Sequence, residues 1–329
     1  MKGRTLGVLI AAMVAIAAVF IIMAMRPEPA EKRKPVVPDA TLALAAIATP
    51  ATPARPVTAA IAFQPPSEAA MPNDEFGKVV KLGHDIFTQT ERYASQYNGS
   101  TNMNCSSCHL DAGRLADSAP LWAAFVSYPA YRSKNDKVNT FASRIQGCFM
   151  YSMNGKAPPL GDPVLIALES YAYWLASGAP VDPTIAGRGY PKVPKPPLSP
   201  DYARGQQVFS QHCALCHGAD GAGQTDANGQ PNFPALWGEK SFNWGAGMSN
   251  LKNASGFIKA NMPLGLGGTL SDQQAWDVAL FMNSHERPQD PRFKGSVAAT
   301  RAQHHDSPND LYGTTVNGHL LGSGKSQAN

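Results

Sequence analysis

The chain has no long run of lysine or arginine: 28 basic residues against 24 acidic ones leave a formal charge of only +4 over 329 residues. That removes the electrostatic footprint on which nucleic-acid binding depends. Cysteine is scarce too. There are five, and four fall in two short clusters, "CSSCH" (Cys105 to His109) and "CALCH" (Cys213 to His217), which leaves Cys148 with no obvious partner. No βαβ pattern surrounds either cluster, which argues against a thioredoxin-like redox pair. A four-cysteine zinc site would leave His109 and His217 unexplained, and its halves would stand 108 residues apart.

Long apolar runs are also few, and the prominent one is at the start. Thr5 to Met25 carries no charge across 21 residues, which at about 1.5 Å per residue spans a bilayer core of roughly 30 Å. A cleaved signal has a shorter apolar region followed by an A-x-A-like site, whereas "MAMRPEPA" follows here. Residues 1–26 therefore read as a signal anchor or signal peptide, with the length favouring an uncleaved helix in the membrane. Basic residues flank both ends, so charge alone does not orient the span. From 27 to 72 the chain is rich in Ala and Pro and reads as an extended tether.

An internal repeat follows. The first copy runs from "GHDIF" (Gly83 to Phe87) through CSSCH to "LIALESYAYWLASG" (Leu165 to Gly178). The second runs from "GQQVF" (Gly205 to Phe209) through CALCH to "QAWDVALFMNSH" (Gln274 to His285). Phe87 stands 18 residues before Cys105 and Phe209 four before Cys213, so the first copy carries a 14-residue insertion. C-x-x-C-H is the attachment sequence of c-type haem, and its place inside two matching helix–cluster–helix copies makes the expected architecture all-α: two tandem class I-type cytochrome c domains at 73–187 and 201–288, joined by a Pro-rich linker at 188–200. A polar tail at 289–329 reads as poorly ordered, with His304 and His305 solvated.

In C-x-x-C-H, two thiols three apart reach the vinyl groups on one porphyrin edge, and the adjacent histidine meets the iron. Two such clusters in matching repeats predict two covalent haem c groups, held by Cys105 and Cys108 with His109, and by Cys213 and Cys216 with His217. Covalent attachment in bacteria takes place outside the cytoplasmic membrane, so the body of the chain is expected on the periplasmic face of the inner membrane.

Each iron then needs a second axial group or an open position. In the second copy the candidates are Met248, Met262, Met282 and His285. Met262 lies in "NMPLG", 45 residues after His217; a Met-Pro loop there resembles the distal ligand loop of small class I cytochromes c, which makes Met262 the preferred ligand, and His/Met ligation raises the reduction potential, which suits an electron outlet. In the first copy Cys148 comes 39 residues after His109, at nearly the corresponding place, in competition with Met150 and Met153. An unpaired thiol in an oxidising compartment must be protected or used, and iron coordination does both. Arg144, Cys148 and Ser152 are four apart and share one face if the stretch is helical. A cation beside a sulfur favours the thiolate. Between Cys105 and Leu160, six cations stand against three anions. A sulfur-ligated haem in a cationic pocket points to a small anionic substrate with sulfur chemistry.

With "RIQGCFMYSMNG" (Arg144 to Gly155), two C-x-x-C-H clusters and "NMPLG", residues Asn73 to Arg287 resemble the bacterial dihaem thiosulfate dehydrogenases, tetrathionate-forming periplasmic cytochromes c. The resemblance implies an active haem ligated by His109 and Cys148. It also implies substrate contacts from Arg144, Ser152 and a further cation, either Arg132 or Lys134. Two thiosulfates would be joined to tetrathionate, in either direction, with electrons passing to the His217/Met262 haem and on to an external acceptor such as a cytochrome c or terminal oxidase. Some members have a Lys before the second-haem Met as an alternative ligand; here Asn261 stands there, with Lys259 nearby. The rival readings are a non-catalytic dihaem electron-transfer cytochrome serving a terminal oxidase and the haem subunit of a multi-enzyme sulfur oxidation system. A dihaem peroxidase finds no supporting residue set.

Overall fold

A computed structural model describes residues 63–132, 134–182, 184–227 and 231–324. The expected membrane span, Thr5 to Met25, and most of the tether lie outside these residues. Among the described residues no helix is long and apolar enough to cross a membrane.

The principal helices are α1 (Glu75–Thr88), α2 (Leu121–Phe125), α3 (Phe141–Gly147), α4 (Pro163–Leu175), α5 (Tyr202–His212), α6 (Leu251–Asn261), α7 (Asp272–Asn283) and α8 (Val297–His304). Strand is confined, among the described residues, to three two-stranded ribbons: β1 (Ala130–Arg132) with β2 (Lys137–Asn139), β3 (Gln224–Thr225) with β4 (Pro231–Phe233), and β5 (Thr315–Val316) with β6 (His319–Leu320). The helical expectation holds.

The repeat visible in the sequence is a repeat of one helix crossing. Aspartate caps the leading helix in each copy, with Asp74 accepting from Gly77 N and Asp201 from Arg204 N, which satisfies one orphan donor of the first turn. α1 then crosses α4 and α5 crosses α7. At each crossing a glycine lets two backbones meet. A Cβ added at Gly83 would fall 2.1 Å from the carbonyl oxygen of Ala167, and one at Gly205 would fall 2.1 Å from that of Asp277. One turn on, Phe87 meets Tyr171 and Phe209 meets Phe281, with ring centroids 5.9 and 5.3 Å apart.

The insertion and the linker both bind the repeats together. The backbone N–H of Thr90 donates to Asn104 Oδ1 at 2.8 Å, which closes the insertion as a loop and returns the chain to Cys105. Its far edge reaches the second repeat: Ser100 Oγ donates to the Glu239 carbonyl and Asn102 N to the Lys240 carbonyl. Where the first domain passes into the linker, the carbonyls of Gly187 and Gly189 accept from Asp117 N and Ala119 N at 2.7 and 2.8 Å. Farther along, Trp276 Nε1 donates to the Pro194 carbonyl. The proline-rich segment is a strap lying on both copies rather than a spacer between them.

The tail departs from its expected disorder. Its residues build a third small core, in which Tyr312 and Leu321 cover Trp244, all three fully buried. Beside it Asp290, 1% exposed, is paired with Arg292 at 2.6 Å and with His305 Nε2 at 2.9 Å; His305 Nδ1 faces Asp310 at 2.7 Å. His305 is 3% exposed rather than solvated. Burial alone would raise the Asp290 pKa, but Arg292 and His305 outweigh it and hold the carboxyl below its usual value. Burial alone would lower His305, but Asp290 and Asp310 outweigh it and raise the imidazole.

Two predictions come from these contacts. At Gly83 and Gly205 the obstacle is backbone, so Gly83→Ala or Gly205→Ala must push two helices apart. Each is expected to cost about 1–3 kcal/mol and to lower the melting temperature of the haem-loaded protein by roughly 2–4 °C per kcal/mol; an unchanged melting temperature would mean that the crossings open freely. For the tail, the contribution of the depressed Asp290 is present above its ordinary value of 3.8 and lost as pH falls below it. The contribution of the raised His305 is fully present below 6.5 and lost as pH rises through its folded value. Protection of the tail from limited proteolysis should therefore be greatest between about pH 4 and 6.5. His305→Ala should flatten the alkaline side of that profile, and a profile with its alkaline side intact in the variant would assign it to other groups.

Candidate functional site

Two cavities, one for each cysteine cluster, gather the residues singled out in the sequence. The first, about 280 Å³, is lined by Cys105, Cys108 and His109 together with Arg144, Cys148, Ser152 and Arg132. The second, about 380 Å³, is lined by Cys213, Cys216 and His217 together with Met248, Met262 and Met282.

Both histidines are oriented in the same way. His109 Nδ1 lies 2.6 Å from the carbonyl of Ala119, and His217 Nδ1 lies 3.0 Å from that of Pro234. A carbonyl only accepts, so Nδ1 carries the proton and donates, which leaves Nε2 as the free lone pair. This is the outer-shell arrangement that fixes the tautomer of a metal-binding histidine. Burial pushes His109 down to about 4 and also lowers His217, so both imidazoles are neutral, the form in which they ligate. The acceptor stands three residues before a tryptophan in each copy, in "APLW" (Ala119 to Trp122) and "PALW" (Pro234 to Trp237). That pair of segments carries the signal in the sequence, and the repeat comparison above passed over it. A thiol pair on a turn, an imidazole with Nε2 free and a sulfur side chain in one cavity form the donor set of a c-type haem, and both cavities have it.

Cys148 stands at a change of helix type. α3 is capped by Thr140, which accepts from Ser143 N. After Gly147 the chain widens into a π-turn over Cys148–Ser152, with Met153 N donating to the Cys148 carbonyl. Such turns recur at functional positions. The expected pairing of Arg144 with Cys148 is present: Arg144 Nη1 lies 2.9 Å from Cys148 Sγ. The sulfur beside it holds the guanidinium above its ordinary pKa despite burial. Ser152 does not follow the regular four-residue spacing because the π-turn adds a residue, yet it still lines the cavity. The turn is braced from the second repeat. Asn243, fully buried, donates through Nδ2 to the Met150 carbonyl at 2.8 Å and through its backbone N–H to the Tyr151 carbonyl at 3.1 Å.

The two cations left open by the sequence separate. Arg132 lines the first cavity and donates to Tyr128 Oη at 2.6 Å. Lys134 does not line it. Its ammonium donates to the Gly245 carbonyl and lies 4.6 Å above the Tyr151 ring, supporting the π-turn from outside. Residues that sequence reasoning missed also line this cavity, chiefly Arg188 and Tyr190 from the linker and Asn253 from α6. The proline content of the linker drew attention to its stiffness and away from its side chains.

In the second cavity three of the four candidate ligands are present. His285 is not: it stacks on Trp237 at 4.1 Å and faces the Phe281 carbonyl. Lys259 is turned away as well, bound to the Leu270 carbonyl and paired with Asp272 at 3.2 Å. Met103, Asn104, Cys108 and Met248 line both cavities, so the two sites are adjacent.

Residues 202–286 match the cytochrome c family model, and residues 89–181 match the SoxA/TsdA cytochrome c domain. The chain is 61% identical over 287 residues to a thiosulfate dehydrogenase of Thiomonas intermedia (strain K12), covering 86% of this chain and 91% of that one. It is 53% identical over 264 residues to a thiosulfate dehydrogenase of Stutzerimonas stutzeri (strain A1501), covering 80% and 85%. Among solved structures it is similar to the as-isolated form of thiosulfate dehydrogenase (TsdBA) from Marichromatium purpuratum, with a TM-score of 0.76 at 49% identity. That match covers 82% of this chain but only 60% of the other. Two cytochrome c domains, each with its cysteine cluster on a cavity of the right donor set, carry two covalently bound c-type haems.

Proposed function

The chain belongs to the family of dihaem thiosulfate dehydrogenases, and from that premise we propose that it joins two thiosulfate dianions into tetrathionate at the first cavity, in the periplasm. The observation that carries the reading is the 2.9 Å contact between Arg144 Nη1 and Cys148 Sγ, in a cavity that also holds a C-x-x-C-H cluster. A pure electron-transfer cytochrome would have no use for a thiol paired with a cation where Met153, buried on the same wall, could serve.

In this reading Cys105 and Cys108 would hold the first haem covalently, with His109 and Cys148 the residues that would ligate its iron. Cys213 and Cys216 would hold the second, with His217 and Met262. When bound, the two haems supply the one-electron redox capacity that the reaction needs, one electron each. A thiolate ligand lowers the reduction potential and a thioether raises it, so with both haems bound electrons would pass from the Cys148 cavity to the Met262 cavity and on to an external acceptor such as a cytochrome c or terminal oxidase. The shared wall of the cavities keeps that first transfer short.

The first task of the protein is electrostatic. Two unit charges 4 Å apart repel by about 4 kcal/mol at an effective dielectric of 20, and two dianions present four such pairs. Fixed cations offset this at no cost of reorganisation. Arg144 donates to the Cys148 sulfur, and Arg132, with Ser152 as a hydroxyl donor, receives the sulfonate oxygens. Cys148 then works as a nucleophile. The Cys148 sulfur, as a thiolate, would bond to the outer sulfur of one thiosulfate, with the two bound haems able to take up one electron each. The outer sulfur of the second thiosulfate attacks that adduct, which forms the central S–S bond of tetrathionate and returns the thiolate. No proton is taken up or released, and the reverse sequence reduces tetrathionate. Export of the chain rests on the Thr5–Met25 run, which also supplies a tether if it is retained.

Thiosulfate should reduce both haems by absorbance with tetrathionate as product; failure of thiosulfate to reduce either haem would overturn the reading. Cys148→Met should abolish turnover while both haems stay attached. The electron paramagnetic resonance signal of a thiolate-ligated low-spin haem, expected in the wild type, should vanish in this variant, and its persistence there would remove Cys148 as a ligand. Among the cations, losing a charge-assisted contact in a partly buried site costs about 2–5 kcal/mol, or a fall of tens- to thousands-fold in kcat/KM at roughly 1.4 kcal/mol per decade. Arg132→Gln should show that fall with unchanged haem spectra, and Arg144→Gln should show it together with an altered thiolate signal. Lys134→Gln should cost less than either; a ranking with Lys134→Gln the most damaging would reverse the two roles.

A further inference from the structure

The backbone segments whose carbonyls orient the two histidines are each held by an asparagine, and each asparagine comes from the other repeat. In the second repeat the acceptor for His217 Nδ1 is the Pro234 carbonyl, which belongs to the same planar peptide group as the N–H of Ala235. That N–H donates to Asn102 Oδ1 at 3.1 Å. The Asn102 backbone N–H also donates to the Lys240 carbonyl at 3.2 Å, so Asn102 is fixed at both ends. One peptide plane is therefore held at one edge by the first repeat and presents its other edge to the histidine of the second.

The first repeat needs a different device. Its acceptor is the Ala119 carbonyl, and the next residue is Pro120, which has no N–H to hold. The loop is fixed upstream instead. Asp117 and Ala119 have left-handed backbone, φ +62° and +49°, uncommon for residues with a side chain. Three hydrogen bonds maintain it: Asp117 N and Ala119 N donate to the carbonyls of Gly187 and Gly189, and Asn261 Nδ2 donates to the Asp117 carbonyl at 3.2 Å. Asn261 Nδ2 also donates to the Phe257 carbonyl at 3.1 Å, which holds it in place. Asn261, 6% exposed, belongs to the second repeat.

We propose that Asn102 and Asn261 are reciprocal positioning residues, each fixing across the repeat boundary the backbone that orients the proximal histidine of the other repeat. Their polarity is opposite. Asn102 must accept, because its partner is an N–H, and Asn261 must donate, because both its partners are carbonyls. Outer-shell partners of ligating histidines change affinity or activity by roughly 10–100-fold, so the ligand field of each haem responds to a residue in the other domain. The proposal rests on His109 and His217 as axial ligands but not on thiosulfate.

The test uses the haem-loaded protein without substrate, reading the two midpoint potentials by spectroelectrochemical titration and the two sets of g-values by electron paramagnetic resonance. Asn102→Ala should move the second haem and leave the first unchanged. Taking the low end of that range, electron partition between the haems should change about tenfold, which is about 59 mV for a one-electron couple. Asn102→Asp retains the accepting oxygen and should keep wild-type g-values at the second haem. Asn261→Leu retains the shape, loses the donor and should alter the g-values of the first haem. Unchanged second-haem parameters in Asn102→Ala, a shift confined to the first haem, or an Asp variant indistinguishable from Ala would each overturn the proposal. Wild-type spectra without histidine-ligated low-spin haem would overturn the ligand reading and this proposal together, whereas normal wild-type spectra with an inert Asn102→Ala would overturn this proposal alone.

Discussion

Because Met103, Asn104, Cys108 and Met248 line both cavities, neither repeat can complete its own site without fixing part of its neighbour's. Much of what distinguishes this chain from two separate small cytochromes follows from that shared wall. The insertion supplies Met103 and Asn104 to it and returns the chain to the first cysteine cluster. The segment before α6 supplies Met248, which packs against the apolar cores of both repeats. Once a wall belongs to two sites, the loops behind it must be held to a tolerance that one repeat cannot set alone, and the hydrogen bonds of Ser100, Asn102, Asn243 and Asn261 all cross the boundary.

The repeats differ where their chemistry must differ. Both have the glycine crossing, the capping aspartate and the histidine tied through Nδ1 to a carbonyl. Among the described residues only the first interrupts its helix with a π-turn, at the cysteine that lines its cavity, and only there does a guanidinium lie on the sulfur. A thioether carries no charge and needs no cation beside it, whereas a thiolate does, because an unpaired charge in a low-dielectric site costs far more than a neutral side chain. The Arg144 guanidinium is thus engaged by the Cys148 sulfur inside the cavity.

Much of this was legible in the sequence. The attachment clusters, the two-copy organisation and the prominence of Cys148 each rest on side-chain identity at a fixed spacing, which a sequence states outright. The glycines at 83 and 205 were visible as repeated letters, although their reason, a backbone approach, was not. What could not be read depends on main-chain partners. The carbonyls of Ala119 and Pro234 carry no side-chain signature, so the interactions orienting both histidines left only the faint trace of two similar tetrapeptides. The tail misled for a related reason. Its polar composition suggests disorder, but the aromatic it covers, Trp244, lies 45 residues before its first residue, and its buried charges satisfy one another.

Counting charges along a segment also proved a coarse guide to where a field acts. Six cations between Cys105 and Leu160 gave the first site its basic character in the sequence. In three dimensions only Arg132 and Arg144 of the six line the cavity. Arg114 is engaged by Glu68 and Asp111, Lys134 braces Tyr151, and Lys137 and Lys156 face solvent. Arg188 and Arg292, outside the counted segment, contribute instead, one on the cavity wall and one over the far side of the turn at Tyr151. Solvent screens exposed lysines within about 10 Å, so the positive field inside the cavity comes from the lining guanidiniums. A charge total measures how much charge a segment carries. The helix crossings and cross-repeat hydrogen bonds decide which of those charges face the cavity.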